Sequence, residues 1–104
     1  MKVLEKDFLK TVIELAHLCG WRIAHFRTSM SQTGRYLTAV QGDGAGFPDL
    51  VLVRDRVIFA ELKSDKGKLS EAQEMWIYAL STAMRVGVYV WKPSDWDEIV
   101  EILK

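Results

Sequence analysis

One cysteine, Cys19, is all the thiol this chain has, which excludes an internal disulfide and a cysteine-based zinc set. Its position on an apolar helical stripe makes it a core residue. Neither charge is in excess: 14 Lys and Arg face 14 Asp and Glu. That balance argues against a dedicated coat for the DNA backbone but leaves room for local basic patches. No apolar run approaches the roughly 20 residues that cross a bilayer, and the Lys2-containing start lacks the apolar stretch of a signal peptide. A cytoplasmic protein with no membrane partner is expected. Internal repeats and low-complexity tails are also missing. What remains is 104 residues, 49% hydrophobic and 27% charged, the profile of one soluble domain spanning 1–104 with one modest core.

Within that ordinary composition one constellation stands out. Eleven residues separate Asp49 from Glu61-Leu62-Lys63, and between them run Leu50-Val51-Leu52-Val53 and Val57-Ile58-Phe59-Ala60, split by Arg54-Asp55-Arg56. Two short β-branched runs around three residues predict a hairpin. Centred on Asp55, the hairpin pairs residues whose numbers sum to 110, so Asp49 falls opposite Glu61. Opposed side chains lie roughly 5 Å apart, and two carboxylates there repel unless a cation lies between them. Alternation along the strand puts Lys63 on the Glu61 face and Leu62 on the other. Oxygen ligands of this kind suit a hard ion such as Mg²⁺ better than zinc. Two acids, an ion and an ammonium form the skeleton of a metal-dependent nuclease site.

Around the hairpin the elements follow from periodicity. Apolar residues at Leu4, Phe8, Val12, Leu15, Ala16 and Cys19 predict a helix ended by Gly20. At about 100° per residue Glu5 falls in that apolar arc, whereas Asp7 and Glu14 fall opposite. Glu5 is therefore the candidate third carboxylate, with Asp7 its rival and a simple helix-terminal charge the alternative. Trp21 to Phe26 reads as a strand, and Arg27 to Phe47 as a long polar connection expected to meet substrate, in which Tyr36–Val40 could hide a short strand. The Gly42-Asp43-Gly44-Ala45-Gly46 run does not match a phosphate-binding loop, and its glycines are expected to admit close approach of a partner. Ser70-Glu71-Ala72-Gln73 has the form of a capping box opening a helix to about Arg85. Val86 to Trp91 reads as a strand buried on both faces and paired in parallel with Val57–Leu62, and Trp96 to Leu103 as a final short helix. His17 is expected on a solvated face, His25 at a strand end, and the four tryptophans in the core or at an interface.

Pro48-Asp49 and Glu61-Leu62-Lys63, set in an α-β-β-β-α-β order, resemble the PD-(D/E)xK nuclease superfamily. Within it the chain is most similar to VRR-NUC domains, especially the small stand-alone versions of bacteriophages. The likeness covers nearly all of the chain, through Glu5-Lys6-Asp7-Phe8, Gly20-Trp21, Gly46-Phe47-Pro48-Asp49-Leu50, Gln73-Glu74-Met75-Trp76 and Val90-Trp91-Lys92-Pro93. It implies an α/β, restriction-endonuclease-like αβββαβ core with a mixed central sheet and a short C-terminal helix. It also implies Mg²⁺- or Mn²⁺-assisted hydrolysis of phosphodiester bonds in the cytoplasm of a bacterial host. Asp49, Glu61, Glu5 and the main-chain carbonyl of Leu62 would hold the metal, Lys63 would stand near the attacking water, and Gln73 would be a catalytic helper as well as a cap. Arg27, Arg35, Lys66 and Lys68 are the DNA-binding candidates. The expected substrate is branched DNA such as a Holliday junction, cut by a homodimer with Tyr36, Trp91 or Trp96 as interface anchors. Two alternatives stand beside it: a nuclease for flaps, duplex ends or single strands, and a non-catalytic DNA-binding or assembly module, against which the intact acids and lysine argue.

Overall fold

A computed structural model describes residues 5–26, 29–30, 36–37, 41–83 and 85–104. Three helices, α1 (Glu5–Leu18), α2 (Glu71–Ser81) and α3 (Trp96–Leu103), surround a four-stranded sheet. Its strands are β1 (Arg22–His25), β4 (Leu50–Val53), β5 (Val57–Leu62) and β6 (Val86–Trp91), in the order β1-β4-β5-β6. A separate two-stranded ladder joins β2 (Ser29–Met30) to β3 (Tyr36–Leu37), the short strand anticipated in the long connection. The fold is thus the expected α/β arrangement with a mixed sheet and a C-terminal helix.

The hairpin register is the one its loop length dictates: Val53 pairs with Val57, Leu52 with Ile58, Val51 with Phe59 and Leu50 with Ala60. Beyond it β6 pairs with β5 in parallel, Val57 with Val86 through Leu62 with Trp91. Even-numbered residues Leu50, Leu52, Ile58, Ala60 and Leu62 enter a core shared with Phe8, Val12 and Ala16 of α1 and Ile99 and Leu103 of α3. Phe59 and Glu61 take the other face, toward α2.

Helix α1 ends as its sequence specifies. Gly20 adopts φ 84°, and the amides of Gly20 and Trp21 donate to the carbonyls of His17 (3.1 Å) and Ala16 (2.9 Å), the paired bonds of a Schellman motif. The hairpin turn then fastens this end of the molecule. Arg54 stacks 4.5 Å from the Trp21 ring centre and donates to the carbonyls of Cys19 (2.9 Å) and Leu103 (3.2 Å); Arg56 donates to that of Ile102 (2.7 Å). Two guanidiniums at the C-termini of two helices satisfy orphan carbonyls and oppose the negative dipole ends. Asp55 is ion-paired with Arg54, which holds its carboxyl below the usual range.

Two expectations need correction. Strand β6 is not buried on both faces: it lies at the edge, with α2 over one side, and only Trp91 is fully buried. Helix α2 stops at Ser81, four residues before Arg85. The hydroxyls of Ser81 and Thr82 donate to the carbonyls of Ile77 and Ala79, competing with helix continuation, and Arg85 sits at φ 65°, outside helical space.

Candidate active site

The sheet end opposite the arginine clamp collects the predicted acids. Asp49 precedes β4 directly; continuing the observed register by one pair sets it opposite Glu61. Its Oδ2 accepts from the Leu62 amide at 3.0 Å, which locks the carboxylate against the end of β5. Glu61 is 2% exposed, the one buried charged residue among those described. Removal from water, then the charge of Asp49, push its carboxyl up to about 8, while Lys63 pulls the other way.

Gln73 is the cap that the sequence pattern predicts, and it also touches Glu61. Its Oε1 accepts from the Ser70 amide (2.8 Å) and its own amide donates to Ser70 Oγ (3.2 Å), a complete capping box. The same side chain reaches on, and Nε2 donates to Glu61 Oε1 at 3.0 Å. Because Ser70 occupies the oxygen, the NH₂ is the end that faces the acid. Glu61 Oε2 is left buried with no hydrogen-bond partner.

An orphaned carboxylate oxygen beside a second carboxylate is costly unless a proton or a cation is placed there. Hard oxygen donors so disposed fit a hard divalent ion. The set of three acids is not drawn together, however: among the described residues no three His, Cys, Asp or Glu side chains converge at metal-holding distance. Glu5 instead lines a neighbouring cleft of about 340 Å³ with Lys6, Leu9, His25, Asp49 and Leu62. Asp49 is thus common to the cleft and to the Glu61 pair. Asp7, the rival on α1, does not line the cleft.

Other predicted residues sort plainly. Leu62 is buried in the core, as the alternation required. Lys63 is half-buried, with its amide bonded to the Trp91 carbonyl (3.0 Å), and Lys66 and Lys68 are exposed in the loop before α2. Arg27 and Arg35 lie outside the described residues. Trp91, 2% exposed, is core and cannot anchor an interface; Trp96 is partly buried against the core. The glycine run does not hold its close approach open for a partner at Gly46, where the neighbour is the backbone of Ala72 in α2. Lys6 was missed as a cleft residue, and His25 reads chiefly as a strand end, with substrate contact the lesser alternative. The only signals were their positions, one residue from Glu5 and one pair from Asp49, since His25 opposes Leu50.

A mixed sheet thus carries paired carboxylates at one strand end, with a lysine two residues beyond the second and a helix glutamine behind it. The chain matches the VRR-NUC domain family over residues 10–92 and belongs to it. It is therefore a nuclease-type, DNA-processing protein of the PD-(D/E)xK superfamily, whose members generally use divalent metal ions. No curated protein and no solved structure matches the chain. None of its described helices is long and apolar enough to cross a membrane.

Proposed function

We propose that this chain is a Mg²⁺- or Mn²⁺-dependent, structure-selective DNA endonuclease that cuts branched DNA, a Holliday junction above all, as a homodimer. The observation that carries the metal-dependent chemistry is Glu61: a buried carboxylate with one oxygen tied to Gln73, the other unpartnered, and Asp49 beside it. Asp49 and Glu61 would hold the ion with the carbonyl of Leu62, and Glu5 would complete the set only by swinging its carboxylate in from the adjoining cleft. When bound, the ion supplies Lewis acidity toward the phosphoryl oxygens and lowers the pKa of water. Gln73 fixes the rotamer of Glu61. Lys63 places an ammonium beside the acids, where it stabilises charge that grows on the phosphorus-bound oxygens. Lys66 and Lys68, with Arg27 and Arg35, grip the DNA backbone. The whole chain, 1–104, works as one domain.

A neutral chain with one site cannot cut two strands in concert. A two-fold pair supports that task, because its two sites match the pseudo-symmetry of a four-way junction and pool the basic residues. The deciding experiment is cleavage of a junction, a flap, a duplex and a single strand with Mg²⁺, Mn²⁺ or EDTA, alongside light scattering with and without junction DNA. Junction nicking by a dimer is the expected result. A monomer that prefers flaps or single strands transfers the assignment to the second class of nuclease, and binding without any cleavage transfers it to a non-catalytic module.

Two substitutions test the roles. Lys63→Ala lowers turnover by roughly 10²–10³ while metal affinity stays close to wild type, since it removes transition-state stabilisation and no ligand. Metal titration followed calorimetrically separates the two, and a loss confined to metal affinity removes Lys63 from its role. Glu5→Gln lowers the rate more than Asp7→Asn, because only Glu5 lines the cleft with Asp49. The reverse order in single-turnover assays gives the helix role to Asp7.

A further inference from the structure

The cleft beside Asp49 contains two groups that none of the roles above employs. Lys6, one position after Glu5 on α1, and His25, at the end of β1, line it together with Glu5, Leu9, Asp49 and Leu62. Both are exposed, and they come from different elements. A polyanion approaching this cleft meets Glu5 and Asp49, two carboxylates that repel it. An ion at the acids offsets that repulsion for the phosphate being cut, but the next phosphate along the backbone needs donors of its own. An ammonium and an imidazole N–H are the donors the cleft offers, and Leu9 and Leu62 give it an apolar floor. The cleft measures about 340 Å³. We propose that Lys6 and His25 form a seat for a single backbone phosphodiester adjoining the scissile one, fixing which strand segment lies across Asp49. This inference rests on the nuclease assignment and specifies how its substrate is held.

The test reads binding and not cleavage. Affinity for fluorescent junction and single-stranded DNA is measured by anisotropy in EDTA and in Ca²⁺ over a range of salt, for wild type, Lys6→Gln, His25→Ala and Lys10→Gln. Lys10, exposed on the same helix but not in the cleft, is the control. Lys6→Gln is expected to weaken binding several-fold and reduce the salt slope by about 0.7–0.9, the release of one counterion. His25→Ala weakens binding several-fold, because the ring N–H donor is lost, and Lys10→Gln leaves both quantities alone. A scan of single neutral methylphosphonates along the DNA locates the contact: at one position the Lys6→Gln penalty vanishes. Equal effects of Lys6→Gln and Lys10→Gln, or a Lys6 penalty undiminished at every methylphosphonate, overturn the seat. Wild type that binds with these slopes yet cuts nothing overturns the nuclease assignment instead, so the two failures are distinct. Unchanged melting temperatures for all variants exclude misfolding as the cause.

Discussion

Glu61→Gln abolishes cleavage at saturating Mg²⁺ and at the same time raises the melting temperature of the metal-free protein. Both effects come from one buried oxygen pair. A glutamine retains Oε1 as acceptor for Gln73 Nε2 and puts in place of the unpartnered Oε2 an NH₂ that can donate to the neighbouring Asp49 carboxylate, so the packing is kept and the orphan is relieved. It also ends the repulsion by Asp49, but it is a far poorer ligand for a hard cation. The pH dependence has a definite sign. The Glu61 carboxyl ionises near 4.5 when exposed and near 8 in the folded chain, so between those values the native state holds a proton that the unfolded state has released. Metal-free wild type therefore loses stability as pH rises from about 4.5 to about 8 and levels off above it. The variant carries no such penalty. Their difference is absent in acid and largest in alkali, on the order of a few kcal/mol, which for a domain of this size shifts melting by roughly 10 °C or more. Mg²⁺ stabilises wild type and not the variant. Thermal unfolding in EDTA and in Mg²⁺ across this range measures all three behaviours. Full activity in Glu61→Gln dissolves the site assignment, and equal pH profiles for the two proteins remove the strained acid from it.

Much of this site was legible because its geometry is local. A three-residue turn fixes the register of a hairpin, and the register fixes Asp49 against Glu61, so no distant contact had to be guessed. The alternation that sends Leu62 into the core and Glu61 to the α2 face follows from the same period. Gln73 was half legible: the capping box is a four-residue pattern, but the reach to Glu61 depends on how the crossover helix settles on the sheet. Edge and centre are likewise non-local. The Val86–Trp91 run has the apolar continuity of a central strand, yet nothing pairs with its far side among the described residues. The arginine clamp was invisible for a similar reason. Arg54 and Arg56 read only as two residues of a three-residue hairpin loop until Cys19, Ile102 and Leu103, distant in sequence, bring two helix ends to them.

Of Gly20, Gly42, Gly46, Gly67 and Gly87, Gly46 is expected to tolerate replacement by alanine least. Gly46 holds φ 82°, where an L side chain costs roughly 1–2 kcal/mol. A Cβ there would also lie 2.5 Å from the Ala72 carbonyl carbon and 2.7 Å from the Gln73 amide nitrogen. Those are backbone atoms in the first turn of α2, so no rotamer change relieves the clash, and the loop must lift off the helix. Lifting it unseats Phe47, whose ring packs edge-on against Phe26 (5.6 Å), Phe59 (6.1 Å) and Trp76 (4.9 Å). The hydrogen bond from Trp76 Nε1 to the Asp43 carbonyl (2.8 Å) is strained with it. The site is caught between the two: Asp49 follows Gly46 by three residues, and the Ala72–Gln73 peptide is what the Cβ would strike. Gly42→Ala is the internal control, because Gly42 has φ 72° but open space where its Cβ would stand. It should lose only the conformational term. Urea unfolding of both variants in EDTA separates strain from clash. The expected loss for Gly46→Ala is about 3 kcal/mol or more, a large part of the roughly 5–15 kcal/mol of a small domain, with cleavage lost in parallel. If Gly46→Ala costs no more than Gly42→Ala, the loop is not pinned to α2, and the path by which it aligns Asp49 with Gln73 and Glu61 has to be abandoned.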